Sequence, residues 1–324
     1  MPRPLMRLFG AYLVASTLAF ATSPSHSEGW PDKAVRITTP FAPGISPDAA
    51  ARFLSEALAK RWKQPVIVEN RPGAETTLGT QAFLDGRDDN GLLFTTHSTF
   101  TVIPLLRAKL PYDPVADARP ISLAVEDFLA VAASPTLDVR TLDEFVQLAR
   151  KKPSELNFYA APGSPYLAYL AFQKQAGIST TFVPYNSPVN AISDLSTGRI
   201  HVAVLPLAAV LGVAQAGKIR LIAITNDQRT PAAPDVPTAI ESGYPHLTLG
   251  GYLGFFAPKQ MPAEQRERIA SDVQAVLQDP ELQKRLSDVG MIARGTSPSE
   301  FAALMDAQRH KWAAIAREHG IEPQ

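Results

Sequence analysis

The stretch PFAPGISPD, Pro40 to Asp48, follows directly on the β-prone run Ala34 to Thr39. Phe41, Ala42, Pro43, Gly44 and Ile45 lead into Ser46, Pro47 and Asp48, which suit a helix cap, a first helical position and a first turn. A loop that ends in a helix start presents unpaired backbone N–H groups and the positive end of a dipole, which is the chemistry of anion capture. Three other loops share the pattern: ENRPGAETTLG (Glu69 to Gly79), which carries Glu75 and Thr76; APGSPY (Ala161 to Tyr166), which carries Pro162, Gly163 and Ser164; and PYNSPVN (Pro184 to Asn190), which carries Tyr185. His97 and Ser98 stand just past LLFTT, and Pro206 just past HVAVL. Open α/β sheets bind ligands at such positions, beyond the carboxyl ends of parallel strands. Several of these loops converging on one cleft would form a carboxylate receptor without a basic side chain.

Catalytic alternatives find little support. The six histidines (His26, His97, His201, His246, His310, His319) show no ligand spacing such as HExxH, so neither a metal nor a cofactor is expected. There is no GxSxG elbow, and Gly44 stands alone, without the Lys-Ser/Thr pair of a phosphate-binding loop or the further glycines of a dinucleotide fingerprint. The chain has no cysteine, which excludes disulfides and thiolate chemistry. Basic and acidic residues balance at 31 each, with no long run of one sign and hence no footprint for nucleic acid. The expected partner is a small molecule or another protein, and the protein itself is expected to be a monomer.

The elements that must position these loops alternate. ITT, VIV, LLFTT, LAVAA, NFYA, FVPY, HVAVL and LIAIT are strand-like, and helical patterns lie between them. That alternation predicts an α/β fold with mostly parallel sheets covered by helices. Phe53, Leu54, Ala57, Leu58 and Trp62 recur at helical spacing as a core stripe. From Pro262 only helices are expected, one with Ile269, Val273, Val276 and Leu277 inward and one with Phe301, Leu304, Met305, Trp312 and Ile315 inward, the second stripe interrupted by Gln308. The Pro-rich connections LPYDPVADARP and TPAAPDVP separate two strand-helix series, as in two lobes around a cleft.

At the N-terminus, Arg3 and Arg7 precede an apolar run from Leu8 to Ala21 that is too short to span a bilayer and ends in Ala19-Phe20-Ala21. A secretory signal peptide over residues 1–27 is expected. Its removal takes away two of the 31 basic residues and leaves the 31 acidic ones, so the mature chain is slightly acidic.

The stretches GWPDKAVRITTPFAPGISPDAAAR, QPVIVENRPGA, LPYDPVADARPIS, VPYNSPVNAISDLSTGRI and IAITNDQRTPAAPDVPTAIESGYP resemble, in order and spacing, the Bug family of extracytoplasmic solute receptors. These are the periplasmic binding proteins of tripartite tricarboxylate transporters. The resemblance implies a two-lobed type II Venus-flytrap fold, with residues 28–124 and 250–324 in one lobe and 125–249 in the other. It also implies periplasmic capture of a small organic acid for delivery to membrane transporter subunits. The alternative is a sensor subunit that signals to a membrane histidine kinase through the same closure.

Two departures from the family pattern stand out. Ile45 replaces the second glycine of PFxxGGxxD, and Glu75 and Thr76 replace two glycines of GAGGxxG. Glu75 thus puts a charge where the family has bare backbone: either it points to solvent at the cleft rim, where screening leaves it nearly silent, or it pairs with an ammonium or hydroxyl group and favours such a ligand over a plain di- or tricarboxylate.

Overall fold

The computed structural model describes residues 30–323 apart from 87 and 186, so the expected signal peptide lies outside the described residues. The chain begins β1 (Val35–Thr39), α1 (Ser46–Trp62), β2 (Val66–Asn70), α2 (Thr77–Asp85), β3 (Gly91–Thr96), α3 (Ser98–Thr101), α4 (Ile103–Leu106) and β4 (Ala118–Asp127). It continues with β5 (Leu129–Ala133), α5 (Leu142–Lys151), β6 (Asn157–Ala160), α6 (Ser164–Ala176), β7 (Thr181–Phe182), α7 (Pro188–Thr197), β8 (Val202–Pro206), α8 (Leu207–Gln215) and β9 (Arg220–Ile224). Last come β10 (Gly251–Pro258), α9 (Ala263–Val276), α10 (Pro280–Asp288), β11 (Met291–Ala293) and α11 (Pro298–Glu318).

Two sheets result, ordered β11-β4-β10-β3-β1-β2 and β7-β6-β8-β5-β9. Their parallel parts, β2-β1-β3 and β7-β6-β8, are the alternating units of the sequence. The expectation of mostly parallel sheets is otherwise corrected: β10 runs antiparallel to both β3 and β4, β11 to β4, and β5 to both β8 and β9. β11 also interrupts what was expected to be an all-helical C-terminus. β4 and β10 escape the pattern because ARPISLAVED carries a proline and GGYLGFFAP is punctuated by glycines, both poor strand signals. One glycine shows why it is there. A Cβ on Gly254 would lie 2.5 Å from the Ser122 carbonyl and 2.6 Å from the Phe301 ring, so β10 can sit between β4 and α11 only without a side chain at that point.

Helix faces follow the apolar spacing. Leu54 and Leu58 of α1 and Ile269 and Val273 of α9 are buried in one core on the first sheet. The apolar stripe of α11 divides instead: Phe301 and Met305 enter a cluster on the first sheet, while Trp312 and Ile315 enter the core of the second. Gln308, the interruption between them, accepts the Trp312 indole N–H at 2.8 Å.

The chain passes from the first sheet to the second between Asp127 and Leu129, and back through residues 225–250. Hydrogen bonds tie these crossings together. Asn226 Oδ1 accepts the Leu129 N–H at 3.1 Å, and its Nδ2 donates to Glu126 Oε1 at 2.7 Å and to the Asp127 carbonyl at 3.2 Å. Arg294, just past β11, donates from Nε to Glu126 Oε2 at 2.6 Å and again from Nη2. Asp127 is buried beside them, and Oδ1 of its carboxyl lacks a partner among the described residues. Burial, and then the neighbouring Glu126 charge, push the Asp127 carboxyl well above the usual carboxylate range. A raised folded-state value means that stability is complete below the ordinary pKa and is lost as pH rises through the folded one. Asp127→Asn should therefore raise the melting temperature at pH 7 and lose that advantage near pH 4, in paired thermal melts.

Candidate functional site

The carboxyl ends of β1, β2 and β3 in one sheet and of β6, β7 and β8 in the other carry the loops singled out in the sequence. Two of them meet directly: Ser98 Oγ, at the start of α3, lies 3.1 Å from Ser164 Oγ, at the start of α6. Both serines are buried, so this contact joins the lobes at the floor of the cleft. Beside it lies a cavity of about 660 Å³ walled by Glu75, Leu106 and Arg107 from the first sheet's loops, by residues of the β6, β7 and α6 region from the second, and by Gly320 to Glu322 after α11. A second depression, of about 570 Å³, takes its lining from the first lobe alone, with Asp85, Asp117 and Lys259 among its residues.

Of the residues expected at a binding site, Glu75, Pro162, Gly163 and Tyr185 line this cavity. Apart from Tyr185, its aromatic wall is not announced by the sequence. Tyr166 and Phe182 pack with ring centroids 4.8 Å apart, and Tyr159 and Tyr185 with centroids 5.5 Å apart. Tyr185 donates its hydroxyl proton to Asp194 at 2.7 Å; burial and that carboxylate push the phenol up to about 12, so the ring presents a neutral face. The residues of this wall stand in NFYA, SPYLAY and TFVPY, but aromatics at strand and helix spacing are equally core residues.

Arg107 also goes unmarked in the sequence. It follows α4 with no periodic neighbour, and its role comes from Glu75, 32 residues away: Nε donates to Glu75 Oε2 at 3.0 Å, and Nη2 forms an ion pair with the same oxygen at 2.9 Å. The segment that carries Glu75 is held in an unusual conformation. Ala74, Glu75 and Thr76 have φ of 44°, 52° and 79°, three successive non-glycine residues in left-handed backbone. Such residues cost about 1–3 kcal/mol each and persist where surroundings over-determine them. The anchor here is Thr76 Oγ1, 2.9 Å from Thr99 Oγ1, which is itself 2.9 Å from Thr95 Oγ1.

The opening loop differs from expectation in detail. Ser46 does not cap α1: Ile45 is the N-cap and makes no side-chain cap bond. Asp48 reaches back instead, and its Oδ2 accepts the Gly44 N–H at 2.9 Å and Arg52 Nε at 3.1 Å, while Oδ1 accepts Asn70 Nδ2 at 2.7 Å. Burial alone would raise the Asp48 carboxyl, but these donors outweigh it and hold it below the ordinary value. The Gly44 amide is therefore committed within the loop, and Ala42, Pro43, Gly44 and Ile45 are exposed on the rim of the first lobe, with Phe41 half-buried behind them. Ser46→Ala should change the unfolding free energy by no more than about 0.5 kcal/mol in denaturant titrations, as for a surface position without a cap bond.

His97 is not available as a ligand contact. Its ring has no exposed surface, its Nδ1 lies 3.0 Å from Thr101 Oγ1, and it packs 5.5 Å from the Tyr252 ring. Burial, and then the nearby Lys311 charge, push it down to about 3, so it is a neutral spacer under the cleft floor. Pro206 is the half-buried N-cap of α8, and Ala161 continues β6 through a hydrogen bond from its N–H to the Val204 carbonyl at 3.2 Å. No group of metal-ligating side chains occurs among the described residues, and no described helix is long and apolar enough to cross a membrane.

A family model described as the tripartite tricarboxylate transporter family receptor matches residues 50–321. A UPF0065 protein of Bordetella bronchiseptica is 29% identical over 94% of this chain and 91% of its own length. The protein BugT of Bordetella pertussis is 26% identical over 98% of each chain. Among solved structures, an R. palustris protein with adipate aligns at TM-score 0.82 and 25% identity, covering 91% of this chain and all of that one (100%). MatC from Rhodopseudomonas palustris with bound malate aligns at TM-score 0.77 and 26% identity, covering 88% and 99%. The two-sheet α/β architecture is the fold of these periplasmic binding proteins.

Proposed function

We propose, on the premise that this chain belongs to the tripartite tricarboxylate transporter receptor family, that it captures a small organic acid in the cleft between its lobes and hands it to the membrane subunits of such a transporter. The relatives are binding proteins, not enzymes. In this reading the protein acts in the periplasm, reached by way of the signal peptide expected at its N-terminus.

The observation that carries the reading is the cavity of about 660 Å³ whose walls come from both sheets and whose one cation, among the described residues, is Arg107. Its volume falls within the range of small-molecule sites. A guanidinium supplies a fork of donors matched to a carboxylate, and the loop N–H groups at the starts of α2 and α6 add positive potential around it. The chain leaves the first sheet at Asp127, the end of β4, and returns through residues 225–250; the segments 124–128 and 225–250 serve as the hinge about which the lobes close. The second of them includes the Pro-rich TPAAPDVP. Closure would bring the exposed lips Ile45 and Leu78 of the first lobe toward Phe182 and Val189 of the second and shut water out of the site.

The test is a thermal-shift and calorimetric screen of the purified protein against carboxylates, followed by small-angle scattering. A ligand at 100 times its dissociation constant should add about 2.7 kcal/mol of stability, and the radius of gyration should fall on binding. A screen in which no acid binds would remove the reading, and a bound acid that leaves the scattering unchanged would remove the hinge.

A further inference from the structure

Glu75 and Arg107 stand side by side in the cavity wall, and their contact is incomplete. One hydrogen bond, from Arg107 Nε to Glu75 Oε2, and the Nη2 ion-pair contact at the same oxygen hold the pair together, leaving Glu75 Oε1 and Arg107 Nη1 without a hydrogen bond between them. Each side chain keeps about a third or more of its surface exposed, at 34% and 42%. The wall thus offers an acceptor and a donor of opposite charge at one place. The chain holds Glu75 there against backbone preference, through three successive left-handed residues and a threonine anchor that ties Thr76 to Thr99. Strain of this kind points toward function and not away from it.

The opposite wall has a different chemistry. Tyr166, Phe182 and Tyr185 present aromatic surface, with the buried Tyr159 packed against Tyr185, and Pro162, Pro184 and Leu106 add apolar lining. Phe182 keeps 38% of its surface exposed, although its type favours burial. The charged groups of the lining are Arg107, Glu75 and Glu322, one positive and two negative. A dianion would bring the cavity to a net charge of three negative units, whereas a zwitterion adds none. A long charged diacid would also lay its second carboxylate on the aromatic wall, where no cation of the described lining meets it.

Resting on the receptor reading above, we infer that the Glu75–Arg107 pair selects a zwitterion: an α-amino acid with an apolar or aromatic side chain. The carboxylate meets Arg107, the ammonium meets Glu75, and the side chain lies against the aromatic wall of the second lobe. Glu75 is then a specificity residue twice over, since it accepts the ammonium and repels a carboxylate placed there.

Calorimetric titration of the purified protein with L-phenylalanine, L-leucine, 3-phenylpropionate, phenethylamine, malate and adipate tests this. L-Phenylalanine or L-leucine should bind tightest. Phenylpropionate, which lacks the ammonium, and phenethylamine, which lacks the carboxylate, should each bind at least about tenfold more weakly, the factor that one lost ionic contact of about 1.4 kcal/mol gives. In Glu75→Gln, with folding verified by thermal melt, the amino acid should weaken by a similar factor while phenylpropionate holds or improves. Malate or adipate binding as tightly as the amino acids would overturn the zwitterion and leave the receptor standing. Phenylpropionate equal to phenylalanine, or a Glu75→Gln protein with an unchanged profile, would likewise overturn it. Failure of every compound to bind would count against the receptor reading as well as the zwitterion.

Discussion

Trp312→Ala should lower the free energy of unfolding by about 3–5 kcal/mol, the usual loss for truncating a fully buried aromatic side chain. Trp312 has no exposed surface and sits in the core of the second sheet, while Phe301 and Met305, on the same helix, sit on the first. The indole is fixed at both ends: its N–H donates to Gln308 at 2.8 Å, and the Lys311 ammonium lies 4.8 Å from its ring centroid. Truncation leaves a cavity in one lobe and an unpaired Gln308, and it releases the second half of α11 from that lobe. Guanidinium titrations followed by near-ultraviolet and far-ultraviolet dichroism should show both a lower midpoint and transitions that no longer coincide. A loss below about 1.5 kcal/mol, the range of conservative core swaps, would mean that α11 is not what couples the lobes.

Arg294→Ala should cost a similar amount, about 3–5 kcal/mol, because it leaves a buried carboxylate without its counter-ion. Glu126 is 3% exposed and is held by Arg294 on one oxygen and Asn226 on the other. Its neighbour Asp127 already resists ionisation, so the pair cannot share the burden of a second unbalanced charge. The double variant Arg294→Leu with Glu126→Gln removes both charges and should recover most of the loss in urea titrations. A double variant no more stable than the single one would show that Arg294 acts through packing and not through charge.

The amphipathic faces were legible because a 3.6-residue period is visible in a linear string: Leu54 and Leu58, or Ile269 and Val273, are placed by spacing alone. The loops were legible because a Pro or Ser after a strand-like run announces a helix start. What could not be read is what depends on residues far apart in the chain. Arg107 matters because a turn 32 residues earlier brings Glu75 to it. The single apolar stripe of α11 serves two cores because its halves meet different sheets. His97 stands at the right strand end for a ligand contact, yet Tyr252 of β10 covers it, and β10 itself was hidden by its glycines. The start of α1 is braced by Asp48 and not by Ser46, since a carboxylate can turn back onto the Gly44 amide while it also balances Arg52.

The placement of β10 has a consequence for how the chain must mature. In chain order it arrives after the whole second sheet, yet its seat is the middle of the first, between β3 and β4. The strands of the second sheet lie contiguously from Leu129 to Ile224 and can pair as soon as they exist. The first sheet cannot close its centre by local pairing, because the strand that fills the gap is separated from β4 by all of that second sheet, and contacts of large sequence separation form slowly. Until Pro258 has emerged, β3 presents one bare edge and β4 two, since β11 also follows, and such edges are the surface through which unfinished chains aggregate. The strands of the second sheet can thus pair before the centre of the first is filled, although the second core closes only when Trp312 and Ile315 of α11 reach it.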